Sequence, residues 1–349
     1  MMKAKDIYFK TMKFVWMKLG LGALTILLSG VWFGILFGLN YLFNNQGFFW
    51  ISIILWLAGT GAINSLLNHY IGYLVKAGHV AIIAQAVTTG QIPDNQFQVA
   101  KQMVTSRFAT SNVYFVIDKL VNGAVNQLNS VLQKVDNLLG NVPGLSTIIS
   151  ILQLFIKIAL GYVDECCLGY TFYKTEDTAY KSAADGVIIY FQNWKTLLKN
   201  AAKTTAIVIV FTFLAWLLPF ILIGALANAL SFSLWIAVIA ALMIALAAKN
   251  AFIDSFMLVE MMTSYMKVAP STQITYDLYG KLCKLSKKFK DLFGKAQEEQ
   301  PNLQASMMSQ QVPVAATINA NQQQNNARYC IHCGALVQGQ FCTQCGNRI

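Results

Sequence analysis

Charged residues are scarce in this chain. Only 12% of its 349 residues are Asp, Glu, Lys or Arg, whereas soluble domains carry about 25%. Hydrophobic residues make up 56% of the sequence. These are too few charged residues for the surface of a water-soluble protein of this size. The composition therefore excludes an ordinary soluble fold and indicates a membrane protein.

Catalytic motifs are also missing. The chain contains only three histidines, and His69 and His79 are ten residues apart, a spacing that places them on different faces of a helix. The sequence has no Gly-rich phosphate-binding loop, no HExxH motif and no serine nucleophile elbow. We therefore expect that the protein is not an enzyme.

Long hydrophobic runs take the place of a charged surface. Each run reaches about 20 residues, the length that a helix needs to cross a bilayer. The runs lie near residues 19–43, 48–67, 204–226 and 229–248, with a fifth near 144–163 that only Lys157 interrupts. The sequence therefore predicts an all-α polytopic membrane protein, with amphipathic interfacial helices between and after the spans.

The net charge of +11 comes mostly from lysines beside these runs. The lysines before the first run and after the last are Lys3, Lys5, Lys10, Lys13, Lys18, Lys281, Lys284, Lys287, Lys288 and Lys290. This positive-inside pattern predicts that both termini are cytosolic and that the charge meets anionic lipid rather than nucleic acid. Termini on one side require an even number of crossings. About six spans are therefore expected, the sixth being 69–89 or part of 108–132.

Amphipathic segments lie outside the runs, at 117–138, about 176–200 and 276–293. We interpret the first as a helix on the membrane or on the bundle, with a partner-binding coiled coil as the alternative. In the last, one face carries Leu278, Leu282, Leu285, Phe289 and Leu292. We expect that face to lie in lipid while the lysines of 276–293 bind anionic lipid headgroups.

Two aspartates end hydrophobic segments in similar local sequences. Tyr-Val-Asp ends at Asp164 and Phe-Ile-Asp ends at Asp254, each with a leucine four residues later. A carboxylate at membrane depth is costly and normally faces a partner or a water-filled path. Asp254 and Asp164 are therefore candidates for binding a cationic solute, with a position among the lipid headgroups as the alternative. For Glu165 the headgroup position is the preferred interpretation.

Glycines recur every fourth residue in the first run, at Gly30, Gly34 and Gly38. Such a strip lets another helix approach closely. The preferred interpretation is packing within the chain, and a homo-oligomer is the alternative.

The end of the chain differs in composition from the membrane domain of residues 1–294. Residues 295–327 are rich in Gln and Asn and are predicted to be a disordered linker. In residues 328–349, Cys330 and Cys333 form one CxxC pair, and Cys342 and Cys345 form a second.

Four cysteines at this spacing are typical of a small zinc ribbon with a structural Zn²⁺. Two disulfides or a metal-free ribbon are the alternatives. Because thiolates persist in a reducing compartment, the ribbon is expected in the cytosol, where a protein partner could dock on it.

The last hydrophobic run ends in an aspartate followed by apolar residues, then a polar turn and a basic helix. These features are Phe252–Leu258, Lys267–Pro270 and the lysine-rich segment after Tyr276. Over residues 164–294 they resemble the choline transporter-like family. The resemblance implies an integral membrane transporter or channel-like protein for a small cationic or zwitterionic solute, with Asp254 in the solute site. The alternative is a non-transporting scaffold that presents the zinc ribbon to cytosolic partners.

Overall fold

The computed structural model is helical through nearly all of the residues that it describes. It describes residues 2–43, 46–108, 111–139, 161–229, 234–274 and 276–309, with two short strands at 328–329 and 336–337. The helices are α1 (Ala4–Lys10), α2 (Met12–Phe43), α3 (Gln46–Leu67), α4 (Tyr73–Thr89), α5 (Gln96–Phe108), α6 (Ser111–Leu139), α7 (Val163–Tyr173), α8 (Ala179–Ala229), α9 (Leu234–Ala248), α10 (Asp254–Val268), α11 (Tyr276–Leu285) and α12 (Lys287–Ser309). Strands β1 (Arg328–Tyr329) and β2 (Leu336–Val337) pair antiparallel.

Four segments within these ranges are long and apolar enough to cross a membrane. They are Met12–Leu42, Phe49–Thr89, Val208–Leu226 and Ala237–Ser271. Their outer surfaces expose large apolar side chains, among them Leu27, Leu57, Phe213 and Leu222, as expected of a surface that meets lipid. Where they are described, the four strongest hydrophobic runs of the sequence are thus helical and apolar on the outside, and the described part of the chain is a helical protein with four candidate membrane spans.

The expected number of about six spans is not reached among the described residues. The run near 144–163 lies almost entirely outside them. Residues 69–89 do not form a separate crossing, because the π-helical turn Asn68–Gly72 joins α3 directly to α4. Helix α4 buries Ile82 and Ile83 in protein rather than exposing them to lipid. The other candidate, 108–132, falls largely in α6, which buries its apolar face in the same core.

The long helices extend well beyond a bilayer. Helix α8 has 51 residues, and the segment Phe49–Thr89 has 41. At about 1.5 Å per residue they reach roughly 60–75 Å, whereas the hydrocarbon core of a bilayer is about 30 Å thick. We call the apolar part, residues 12–67 and 208–248, the span bundle, and the remaining helices the helical sector.

The helical sector has a conventional core. Leu168, Ile188 and Met262 are fully buried where α7, the first half of α8 and α10 meet. Helix α8 approaches α7 closely at Gly186, where an added Cβ would lie 3.0 Å from the Cα of Cys167. The sector therefore folds by burying apolar side chains in protein, as a soluble helical domain does.

Helices α11 and α12 correct the expectation for residues 276–293. Leu282, Phe289 and Leu292 are buried against α6 and α8, not in lipid, and only Leu285 of this face is half exposed. The exposed lysines do face outward. Amphipathic periodicity identified the apolar face correctly, but protein and lipid are equally good partners for it.

The tail and the glycine strip also differ from expectation. Helix α12 continues to Ser309, beyond residue 295 where a linker was predicted to begin. An added Cβ at Gly30, Gly34 or Gly38 would meet no atom within 4 Å. Among the described residues, nothing from this chain therefore packs closely on the strip. The four ribbon cysteines lie outside the described residues.

Candidate functional site

A polar cavity lies where the span bundle meets the helical sector, and we call it the junction cavity. Its volume is about 370 Å³, and helices α2, α3, α4, α6, α7, α9 and α10 contribute to its wall. Charged side chains of both signs line it, namely Lys18, Lys76, Asp118, Glu165 and Asp254. An apolar protein interface has no need of so many charges, so the junction cavity is the candidate site.

Exposed aromatic side chains occur near both ends of the candidate spans. Trp16 and Tyr70 are exposed close in sequence to residues that line the cavity, and Tyr41, Trp50 and Trp235 are exposed at the other ends of the span helices. Along the helices these two groups are about 30–37 Å apart, close to the thickness of a bilayer core. Trp and Tyr are enriched at the two membrane–water interfaces, so this spacing agrees with the four candidate spans.

Asp254 lies on the wall of the cavity and has two partners. The Lys249 ammonium donates to both carboxylate oxygens at 2.8 and 2.9 Å, and the Tyr162 hydroxyl donates to Oδ1 at 3.2 Å. Residues five apart point about 140° apart in an α-helix. Here the π-helical turn Lys249–Ile253 closes i→i+5 hydrogen bonds, which brings Lys249 over Asp254.

Lys76 contacts three carboxylates on the opposite wall. Its ammonium lies 3.3 Å from Asp118, 3.4 Å from Asp164 and 3.1 Å from Glu165. The side chains of Asp164 and Glu165 are only 8% and 12% exposed. The Asn122 amide also donates to Asp164, at 3.5 Å. Asp164 thus lies behind Lys76, while Asp118 and Glu165 reach the cavity itself.

The neighbouring carboxyl groups of Asp164 and Glu165 differ in pKa, and Glu165 holds a proton more strongly than Asp164 does. Burial and the charge of Asp164 raise the pKa of Glu165 well above its usual value, although Lys76 opposes the shift. Burial also acts to raise the pKa of Asp164, but hydrogen bonding with Glu165 and the charge of Lys76 lower it overall. Asp164 is therefore the ionised member, and Glu165 keeps its proton to a higher pH than an ordinary glutamate.

This shift makes the stability of the helical sector depend on pH. A carboxyl group whose folded pKa is raised stabilises the fold below its unfolded pKa, and that contribution is lost as the pH rises through the folded pKa. The thermal midpoint of the native protein should therefore fall as the pH rises above 4.5, the ordinary value for Glu165. In Glu165→Gln this fall should be smaller.

The measurement is thermal unfolding in detergent over a range of pH. The matched control is Glu176→Gln, which removes a carboxyl group on the surface of the same sector and should leave the pH profile unchanged. Identical profiles for Glu165→Gln and the native protein would contradict the assignment of the proton to Glu165.

Lys18 is held in place by neutral groups. Its ammonium donates to Ser255 Oγ at 3.0 Å and to His79 Nδ1 at 3.4 Å. The Thr11 hydroxyl donates to the carbonyl of Ile7 at 2.8 Å, so its oxygen accepts the proton of His79 Nε2 at 3.0 Å. This chain of bonds leaves Nδ1 of the buried His79 as an acceptor. An uncharged histidine thereby directs Lys18 toward the cavity.

One polar group on the cavity wall has no hydrogen-bond partner among the described residues. It is the hydroxyl of Tyr114, a residue only 1% exposed. An unpaired buried polar group costs about 1–3 kcal/mol. The wall is therefore suited to a polar ligand.

The charges of the cavity balance when Glu165 keeps its proton. Three lysines, Lys18, Lys76 and Lys249, lie with four carboxyl groups, Asp118, Asp164, Glu165 and Asp254, at or next to the cavity. Because the pKa of Glu165 is raised, three carboxylates match the three ammonium groups. The side chain of Asp254 is the most exposed of the four carboxyl groups, so it is the carboxylate most open to a cationic ligand.

The two aspartates predicted from the sequence both belong to this site. Asp254 lines the cavity, and Asp164 lies one layer behind it. Sequence reasoning missed Asp118 and did not propose Glu165 as a site residue, although both line the cavity. Asp118 lies on the polar face of α6, and a carboxylate on such a face usually contacts solvent. Its contact with Lys76 arises from the packing of α6 beside α4, which the sequence does not reveal. The described residues contain no group of His, Cys, Asp and Glu side chains that could hold a metal ion.

Comparisons with known proteins add no assignment. No family model, no curated protein and no solved structure matches this chain. The likeness to the choline transporter-like family remains a hypothesis from the sequence.

Proposed function

We propose that the protein is a membrane transporter or channel-like protein for a small cationic or zwitterionic solute of the choline type. The observation that carries the proposal is the partly exposed carboxylate of Asp254 in the junction cavity, beside the candidate membrane spans. Asp254 is the principal solute ligand, because it lines the cavity and is about one-third exposed. Asp164 does not line the cavity and contributes by holding the ammonium group of Lys76 in place.

Aromatic rings around the cavity support a solute with a large organic cation. Tyr73, Tyr114, Phe115 and Tyr162 all line it. The faces of aromatic rings attract ammonium groups, including quaternary ones that cannot donate hydrogen bonds. Rings beside carboxylates therefore suit choline better than a bare metal cation, which prefers oxygen ligands throughout.

A polar seam leads from the cavity into the span bundle and supports a path for the solute. Thr25 and Asn64 line the cavity. Further along α2 and α3, the hydroxyls of Ser29 and Thr60 lie 2.6 Å apart, and the indole of Trp56 donates to the carbonyl and hydroxyl oxygens of Ser29. Trp56 is buried at this point. Its movement would be needed to continue the path.

The test is uptake of radiolabelled choline and related amines into liposomes that carry the purified protein. Uptake above that of empty liposomes is expected, and Asp254→Asn should abolish it, because the amide keeps the shape but loses the charge. Asp277→Asn is the matched control, since Asp277 forms an exposed pair with Lys281 and neither residue lines the cavity. Absence of flux from folded protein across the amine panel would reject the proposal.

The remaining expectations are part of the same proposal. Both termini face the cytosol, and the exposed lysines of residues 276–293 contact anionic headgroups. The uncovered glycine strip favours a homo-oligomer through α2.

The C-terminal cysteines are proposed to form a zinc ribbon. Cys330, Cys333, Cys342 and Cys345 would hold one structural Zn²⁺. The pairing of β1 with β2 supports it, since these strands enclose the segment that contains Cys330 and Cys333.

The alternative function is a scaffold that presents this ribbon to a cytosolic protein. Deleting residues 310–349 separates the two functions, because a carrier should keep its flux and a scaffold should lose its partner.

A further inference from the structure

We propose that Lys249 is a tethered competitor for the solute at Asp254. Its ammonium occupies the carboxylate in the present state, and an ammonium ligand binds by displacing it. This inference rests on the proposed function, and it names both the ligand class and the residue that sets the affinity.

The pairing of Lys249 differs from that of the other two lysines at the cavity. Lys76 is held by three carboxylates. Lys18 is held by a hydroxyl and a neutral imidazole. Among the described residues Lys249 has a single carboxylate partner, and the side chains of Lys249 and Asp254 are 33% and 31% exposed. A pair that is about one-third exposed contributes little free energy. Among the three, Lys249 is therefore the ammonium that a ligand displaces most easily.

The geometry of the pair describes the ligand. Lys249 presents a primary ammonium on an unbranched chain, and Asp254 accepts it with both oxygens. Tyr162 donates to the same carboxylate and adds an aromatic ring at the cavity wall. A solute that replaces Lys249 must bring the same features, namely one positive charge and a slim apolar stem. Small alkylammonium compounds meet this description.

The π-helical turn supplies a means of release. Residues 249 and 254 lie on one face only while the turn Lys249–Ile253 keeps its i→i+5 hydrogen bonds. If the segment returned to α-helical bonding, the two side chains would point about 140° apart. Displacement of Lys249 and relaxation of the turn would then be one event, and helix α9 of the span bundle would rotate relative to α10.

The experiment measures ligand binding by titration calorimetry on the full-length protein in detergent. Replacing Lys249 with Met removes the charge but keeps most of the side-chain volume. Choline should bind Lys249→Met about fivefold more tightly than the native protein, the factor that corresponds to losing one partly exposed ion pair. Lys249→Arg keeps the competing charge and should not gain affinity. Lys174→Met breaks an exposed pair elsewhere and should match the native protein.

A second variant provides chemical rescue. Lys249→Ala removes three carbons and the ammonium nitrogen, which together equal n-propylammonium. This compound should bind Lys249→Ala and raise its thermal midpoint, whereas 1-propanol, which has the same length but no charge, should do neither. Both effects should disappear in the double variant Lys249→Ala/Asp254→Asn.

The outcomes separate the two proposals. If Asp254→Asn abolishes choline binding but Lys249→Met binds no more tightly than the native protein, the competitor role is wrong and the solute site stands. If choline binds equally well to the native protein and to Asp254→Asn, the proposed solute site itself is wrong. If Lys249→Ala does not fold, the affinity of Lys249→Met still decides the question.

Discussion

Replacing Lys76 with methionine is expected to lower the thermal midpoint of the helical sector by roughly 6–12 °C. The substitution leaves Asp118, Asp164 and Glu165 facing one another without their shared cation. Removing one partner of a buried ion pair costs about 3–5 kcal/mol, and the partial exposure of Lys76 places the loss near the lower figure. In a folded unit of this size each kcal/mol shifts the midpoint by about 2–4 °C.

The reaction of Cys166 with a maleimide can report this unfolding. Cys166 is fully buried next to Glu165, so its peptide becomes labelled only when the sector opens. Lys76→Arg keeps the charge and should lie close to the native protein. Lys174→Met breaks only the exposed pair with Glu176 and should change little. The difference in thermal midpoint between Lys76→Met and the native protein should become smaller at low pH, because protonated carboxyl groups no longer repel one another. A deficit that is independent of pH would contradict the electrostatic origin.

The variant Cys342→Ser is expected to lose its zinc completely while the membrane domain keeps its stability. A structural tetrahedral site with three remaining thiolates loses most of its affinity, and a small ribbon has too little apolar surface to fold without its metal. The measurement is zinc content per chain by mass spectrometry, beside the thermal midpoint of the helical sector. One zinc should fall to none, and the midpoint should not move.

The matched control is Cys283→Ser. Cys283 is a free, partly buried thiol on α11, so its loss removes one sulfur without touching the ribbon. This variant should retain one zinc. Retention of a full zinc equivalent by Cys342→Ser would show that the metal has a different set of ligands.

The spans were predictable because lipid exposure demands continuous apolar sequence. What surrounds an apolar helix was not predictable. Residues 73–89 are as hydrophobic as parts of a span, yet Ile82 and Ile83 are covered by protein. Only Lys76 and His79 hinted that this stretch has polar partners. For Leu282 and Phe289, likewise, the periodicity identified the buried face of the helix but did not show whether protein or lipid covers that face.

The candidate site was predictable only one residue at a time. The cost of a charge near a hydrophobic segment singled out Asp254 and Asp164. Their convergence on one cavity depends on contacts between distant parts of the chain, such as the bond from Tyr162 to Asp254 across 92 residues. The pairing of Lys249 with Asp254 required a π-helical turn. An α-helical pattern places the two on different faces, and no residue type in the turn signals the exception.

The unbroken helix from Gln46 to Thr89 has a consequence for how the protein is made. Helix α4 leaves the ribosome directly behind a span, but α7 and α10, which cover it, are synthesised roughly 75 and 165 residues later. Until those two helices are made, α4 has only α5 as a packing partner of comparable extent. The core of the helical sector is therefore complete only after α10, the helix that follows the last part of the span bundle, has been synthesised. A chain that stops before Asp254 would leave the side of α4 that packs on α10 uncovered.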